Sequence, residues 1–308
     1  MSTSENPRAD VALAAAHLAA CMTPAPGADP IQAMRDGVDR YGDVEPRLPL
    51  DGIVITPAAN PDIVAEWVIA PGADAASRLV YLHGGGWIAG GLYSHRPITA
   101  YLAQRMGCAV LAVDYRLAPE HPFPAGLDDS VAAIDWAADN GPEGPGPAAR
   151  LLLAGDSAGG NLAAAACLRL IAADARVPDR LALLSAVLDV SPGAADGEAD
   201  AQVGADGIAL MMTMYAPQVV ALDTPDLSPA RAPAAMLGRF PPTLLQASVH
   251  EYLLGDAQRF MARLTAAGNR AVLSVWPDMP HVWHAFFSLL PEAPAALDEV
   301  AEFLRSGP

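Results

Sequence analysis

One stretch, Leu151–Cys167, reading LLLAGDSAGGNLAAAAC, constrains the fold of this chain more than any other. Apolar Leu151–Ala154, behind a Gly/Pro-rich segment, reads as a short buried strand. Asn161–Leu170, mostly Ala and Leu, has high helix propensity. Between them Gly155-Asp156-Ser157-Ala158-Gly159 matches G-x-S-x-G. In that motif the serine sits on a sharp strand-to-helix turn, and the flanking glycines let strand and helix backbones pass closely. The helix N-terminus then faces an oxygen that turns negative during acyl transfer. The plainer reading is a small-residue turn that packs a helix on a sheet. The strand before the motif and the helix after it are the context that favours the reactive one.

Strand and helix patterns alternate around this stretch. Asp51–Thr56 and Ile63–Ala70 read as an antiparallel hairpin at one edge. Further strands are predicted at Arg78–Leu82, Cys108–Tyr115, Leu181–Leu188, Thr243–Val249 and Ala271–Trp276. Helices are predicted at Ser94–Met106, Pro124–Asn140, Glu251–Ala267 and Pro294–Ser306. The pattern implies an α/β fold, a mostly parallel sheet with helices on both faces. Upstream, Ala9–Met22 reads as a helix, and Asp29 caps a second one with Pro30 at its first position. Met1–Pro7 reads as disordered. Ser191–Phe240 breaks the alternation; with one helical run near Ile208–Val220, it is too long for a plain loop and reads as an inserted lid. The expected organisation is an N-terminal cap segment at 1–45, core at 46–190, a cap insertion at 191–240 and core again at 241–308.

Composition narrows the function classes. The chain has 308 residues, of which 35 are acidic and 18 basic, every basic one Arg. A net charge of −17 repels phosphate backbones and anionic lipid surfaces, so no nucleic-acid partner is expected. No apolar run reaches membrane-spanning length, so no stable membrane insertion is expected. Cys21, Cys108 and Cys167 are too few and odd for a disulfide framework, which fits a cytoplasmic location. Leu18-Ala19-Ala20-Cys21 looks like a lipoprotein processing site. However, Met1–Asp10 carries one Arg against two acids, and the stretch is read as an amphipathic helix. Oligomeric state is left open, a homodimer included.

A reactive serine needs a base, and the base an orienting acid. The histidines downstream of Ser157 are His250, His281 and His284. His281 follows strand Ala271–Trp276 after a Pro/Asp turn, which places it at the sheet's carboxyl edge, where catalytic groups gather. His284 is expected to pack or cap. Glu251 comes directly after strand Thr243–Val249. Asp256 is expected more than a turn into the next helix, on a solvated face. His83-Gly84-Gly85-Gly86 after a strand matches the H-G-G-G type of oxyanion loop, with His83 bonded to backbone. No Lys-Ser/Thr follows, so a phosphate loop is poorly supported. With no H-E-x-x-H and no zinc-spaced Cys/His set, no metal or organic cofactor is implied. Trp87, Met211, Met214 and Tyr215 are placed to line a substrate pocket; the lid residues serve equally well to pack the lid on the core.

Four segments taken together, His83–Trp87, Asp114–Glu120, Gly155–Gly160 and Met279–His281, resemble the hormone-sensitive-lipase-like esterases of bacteria. The resemblance runs from about Leu79 to the C-terminus. It implies an α/β-hydrolase core with a helical cap, Ser157 as nucleophile and His281 as base. It also implies an oxyanion hole formed by the N–H groups of Gly85, Gly86 and Ala158. The implied activity is hydrolysis of short- to medium-chain carboxylic esters through an acyl-enzyme. One departure matters: the family's acid is usually Asp in Asp-Pro-Leu, whereas this chain has His250-Glu251-Tyr252-Leu253-Leu254. Glu251 stands at the family's usual separation from the histidine and takes the role. The wording Glu-x-Leu-Leu and Trp276–Trp283 is similar to a branch that includes monoterpene lactone hydrolases, so a lactone is the alternative substrate. A silent receptor on this fold is the remaining alternative; such receptors lack the histidine that His281 supplies.

Overall fold

The structure, a computed structural model, describes residues 8–23, 26–41, 43, 50–60, 62–191, 203–219 and 221–307. Met1–Pro7, expected to be disordered, and residues 192–202 of the expected lid lie outside them. Eight strands form one sheet: β1 Val54–Pro57, β2 Val64–Ile69, β3 Asp74–Leu82, β4 Cys108–Asp114, β5 Arg150–Asp156, β6 Arg180–Leu184, β7 Thr243–Ser248 and β8 Ala271–Trp276. Their spatial order is β1-β2-β4-β3-β5-β6-β7-β8. β1 pairs antiparallel with β2, and β2 antiparallel with β4; every later pairing is parallel.

Parallel strands covered on both faces read as continuous apolar runs rather than alternating ones. Leu151, Leu152 and Leu153 are all fully buried for this reason. The pleat sends alternate residues to opposite sides. Leu79, Tyr81 and Leu152 pack with Ile98 and Leu102 of α3 (Leu92–Met106) and with Leu297, Val300 and Leu304 of α9 (Glu292–Arg305). Val80, Leu82, Leu151 and Leu153 pack with α4 (Ala125–Asp139), α5 (Ser157–Ala172) and α8 (Leu254–Ala266) on the other face.

The register of the central strands sets up the site. β3 lies beside β5 with Tyr81 opposite Ala154 and Leu82 opposite Gly155. The segments that leave these strands, His83–Gly86 and Ser157–Gly159, therefore start side by side at one edge, although some seventy residues separate them in the chain.

Two helices precede the sheet. α1 (Ala9–Met22) buries Ala14, Leu18 and Cys21 along one face, as an amphipathic helix does. α2 (Pro30–Asp39) is capped by Asp29, whose Oδ1 accepts from the N–H groups of Ile31 (3.1 Å) and Gln32 (2.9 Å). Arg35 of α2 donates to Ile88 O (2.9 Å), Ala118 O (3.1 Å) and the Glu120 carboxylate, which ties α2 to loops around the site. α6 (Ala205–Tyr215) lies in the region between β6 and β7, followed by the short α7 (Ala234–Leu237).

Several boundaries differ from the sequence expectation, β3 for instance starting at Asp74, and two of them lie next to the residues singled out above. β6 ends at Leu184, because Ser185 adopts φ +48 and turns the chain out of the ladder. The helix after β7 starts at Leu254, so Glu251 stands in a loop before it. Cys21, Cys108 and Cys167 are free and buried. Among the described residues no helix is long and apolar enough to cross a membrane.

Candidate active site

β5 passes directly into α5 at Ser157, which takes φ +50, a conformation that costs a non-glycine residue about 1 kcal/mol or more. The glycines of the pentapeptide make room for this turn. A Cβ on Gly159 would lie 2.1 Å from Leu82 O and 2.3 Å from His83 O, so the end of β3 touches α5 where only glycine fits.

The turn presents Ser157 to His281, with Oγ 3.0 Å from Nε2. The other ring nitrogen, Nδ1, is 2.8 Å from Glu251 Oε1. An ionised carboxylate only accepts hydrogen bonds, so this contact assigns the ring proton to Nδ1 and leaves the Nε2 lone pair facing the serine hydroxyl. Glu251 Oε2 accepts the N–H of Ser248 at 2.6 Å. All three side chains are buried.

Ser248, which the sequence reading did not single out, holds both loops. Its N–H fixes Glu251, and its hydroxyl accepts the N–H of Met279 at 2.9 Å, two residues before His281. On the outside His250 Nε2 meets Asp278 Oδ1 at 2.8 Å and bridges the same two loops. Nothing in the sequence marks Ser248 beyond its place at the end of β7.

The other residues fall away from this line. His284 sits in a 3-10 turn with Nε2 2.9 Å from Gln246 Oε1 and its ring 4.0 Å from that of Trp283. Burial pushes its pKa down to about 3, so it packs as a neutral imidazole. Asp256 corrects an expectation. It is fully buried rather than on a solvated face, because it stands four and eight residues before Phe260 and Leu264 on the buried face of α8. Its Oδ2 accepts from the N–H groups of Leu188 and Asp189, both at 3.1 Å, and Oδ1 pairs with Arg259 at 2.5 Å.

Across from the serine, the loop after β3 folds on itself, with the N–H groups of Ile88 and Ala89 donating to Gly85 O. Gly85 at φ +116 and Gly86 at φ +63 take left-handed conformations that suit glycine. Ala158 lies in the first turn of α5 and is fully buried. His83 Nδ1 bonds Gly84 O at 2.8 Å. Burial, and His95 nearby, push the His83 pKa down to about 3, so it stays neutral.

Of the expected pocket residues, Met211 reaches this loop: a Cβ on Gly86 would lie 2.5 Å from its Sδ. Trp87 and Tyr215 are both buried and stack on each other, with ring centroids 4.8 Å apart and planes 9° from parallel. Phe123 meets Tyr215 edge-on at 5.9 Å. Met214 is half-buried against the main core. A cavity of about 490 Å³ lies on the other side of α6, lined by Asp189, Ile208, Met212, Leu222 and Tyr252 among others. Met212 lines it, whereas Met211, Met214 and Tyr215 do not. Among the described residues, no group of three or more His, Cys, Asp or Glu is arranged to hold a metal ion.

A serine, a histidine and a carboxylate bonded in series at the carboxyl edge of a mostly parallel sheet, following one another along the chain as serine, carboxylate and histidine, define the serine-hydrolase class of the α/β-hydrolase fold. The chain belongs to that family, within the bacterial hormone-sensitive-lipase esterases: residues 79–285 match the family described as alpha/beta hydrolase fold. The carboxylesterase NlhH of Mycobacterium tuberculosis is 38% identical over 224 residues, covering 71% of this chain and 70% of that protein. An acetyl-hydrolase of Streptomyces hygroscopicus is 36% identical over 257 residues, 79% of each chain. A solved esterase from the bacterial hormone-sensitive lipase family superposes with a TM-score of 0.85 at 33% identity, covering 98% of this chain and 99% of the other.

Proposed function

We propose that this carboxylic-ester hydrolase works through Ser157 as nucleophile, His281 as general base and Glu251 as the acid that orients the imidazole. The observation that carries the reading is the unbroken series from Ser157 Oγ through His281 to Glu251, at 3.0 and 2.8 Å. Ser157 Oγ attacks the ester carbonyl as its proton passes to His281 Nε2. The N–H groups of Gly85, Gly86 and Ala158 receive the oxygen as it turns negative. The imidazolium, stabilised by Glu251, returns the proton to the departing alcohol. Water then repeats the sequence on the acyl-enzyme and frees the carboxylic acid.

The substrates of this reading are short- to medium-chain esters of small molecules. Segments 1–45 and 191–240 act as a cap, supported by Met211 of α6 against Gly86 and by Arg35 of α2 against Ile88. Three free, buried cysteines support a cytoplasmic location. The test is a set of p-nitrophenyl esters of rising acyl length beside a set of lactones. Acyclic esters from acetate to octanoate should turn over with the higher kcat/KM. Turnover of lactones alone would replace the ester reading by a lactonase, and turnover of neither would end both.

A further inference from the structure

The open position before the serine in Gly155-Asp156-Ser157-Ala158-Gly159 carries a carboxylate that the hydrolytic steps do not use. Asp156 is fully buried. Its Oδ1 accepts the Tyr81 hydroxyl at 2.7 Å and the Gly84 N–H at 3.1 Å. Its Oδ2 lies 3.2 Å from His95 Nε2, in the first turn of α3. His95 Nδ1 in turn lies 2.9 Å from Ser94 Oγ, which both accepts the Gly91 N–H and donates to Gly91 O at 3.0 Å. One carboxylate thus grips the segment that joins β3 to α3 near both of its ends. Gly85 and Gly86 hang between those grips.

The fit is close enough to dictate sequence. A Cβ on Gly84 would lie 2.2 Å from Asp156 Oδ2, so the first glycine after His83 is required by the aspartate before Ser157. The β3–β5 register brings these positions together, because Leu82 stands opposite Gly155. A buried carboxylate is stabilised only when donors satisfy it, and a satisfied buried network is rigid. Here Tyr81 O–H, Gly84 N–H and His95 supply the partners.

We propose that Asp156 is a positioning residue for ester hydrolysis: its carboxylate fixes Gly84 and α3, and so aims the Gly85 and Gly86 N–H groups at the substrate carbonyl oxygen. This rests on the reading of those two groups as oxyanion donors. Such donors act at about 2.7–3.1 Å from the oxyanion, and a misplacement of about 1 Å costs on the order of 10² in rate.

The test compares wild type with Asp156→Asn, Tyr81→Phe and His95→Gln on one ester. Each preparation is titrated to completion with a fluorophosphonate, so that kcat is counted per reactive Ser157. Asp156→Asn keeps the side-chain shape but loses the charge and turns one acceptor into a donor. Its kcat per titrated site should fall roughly 10- to 10²-fold, with KM and the acid limb of the pH profile in place, because the triad is untouched. Tyr81→Phe and His95→Gln should move kcat the same way by less. If Asp156→Asn does not fold, these two decide by the same split. A wild-type kcat per titrated site with only a lowered Tm would overturn the proposal and leave a structural strut. A shift of the acid limb alongside kcat would also overturn it, since the effect would then run through His281. Wild type that takes no label at Ser157 would instead remove the serine reading on which the proposal rests.

Discussion

Glu251 reaches His281 Nδ1 at 2.8 Å from a loop, three residues before α8 begins, with its second oxygen held by the backbone of Ser248. The longer glutamate is thus carried on a short connection that stops at the sheet rim, where an aspartate would leave the carboxylate one methylene short.

This geometry separates the two carboxylates of the segment. Glu251→Gln keeps the shape but removes the charge that stabilises the imidazolium, and kcat should fall by roughly 10³ to 10⁴. Asp256→Asn should cost far less activity, because Asp256 bonds Leu188, Asp189 and Arg259 and not His281. Glu251→Asp should retain partial activity. Steady-state kinetics of the three variants decide the matter, and the reverse order would move the acid role to Asp256.

Asp256 gives a stability prediction. Burial, against the opposing effect of the Leu188 N–H, Arg259 and the Asp189 N–H, pushes its pKa up to about 6. A raised carboxyl pKa means the folded chain holds a proton that the unfolded chain has released. Its contribution to stability is complete below the unfolded value of about 3.9 and is lost as pH rises through about 6. Asp256→Asn removes this titration together with the Arg259 pair. The stability advantage of wild type over the variant should therefore shrink between about pH 5 and pH 8, by on the order of 1 kcal/mol. Urea unfolding of both proteins at the two pH values measures it, and a difference that stays constant would contradict the assigned environment.

Much of the candidate site was legible before the fold was known, for local reasons. Gly155–Gly159 carries its own strand and helix, and Glu251 and His281 stand three and five residues past the ends of β7 and β8, so the order of elements along the chain brought them to one edge. Asp256 was misread from its charge, although its spacing to Phe260 and Leu264 puts it on the buried face of α8. β6 was read four residues too long, because Ser185 is the single polar residue in an otherwise apolar Leu181–Leu188 and nothing in its identity marks the φ +48 turn that follows its last bond to β7, N–H to Gln246 O at 2.8 Å. Ser248 and the Asp156–Gly84 contact were out of reach, since both depend on strand register rather than on residue type.

Tyr215 tests the packing between α6 and the loop after β3. Its ring stacks on Trp87, but its buried hydroxyl has no hydrogen-bond partner among the described residues. Tyr215→Phe keeps the stack and removes an unsatisfied polar group, so Tm should stay or rise. Tyr215→Ala should cost roughly 3–5 kcal/mol, as for other large-to-small aromatic truncations. Thermal unfolding checks both. A clear loss on Tyr215→Phe would show that the hydroxyl is bonded and that the stack is not the main contribution.

The account rests above all on Ser157 as the nucleophile, and covalent labelling addresses it most directly. Wild type and Ser157→Ala are treated with a fluorophosphonate, digested and read by mass spectrometry, with turnover followed in parallel. The account predicts a single adduct on Ser157, formed in step with the loss of activity. It also predicts no adduct on Ser157→Ala, whose kcat should be lower by on the order of 10⁶. An adduct on another residue, or a Ser157→Ala protein that still turns over ester at near the wild-type rate, would contradict it.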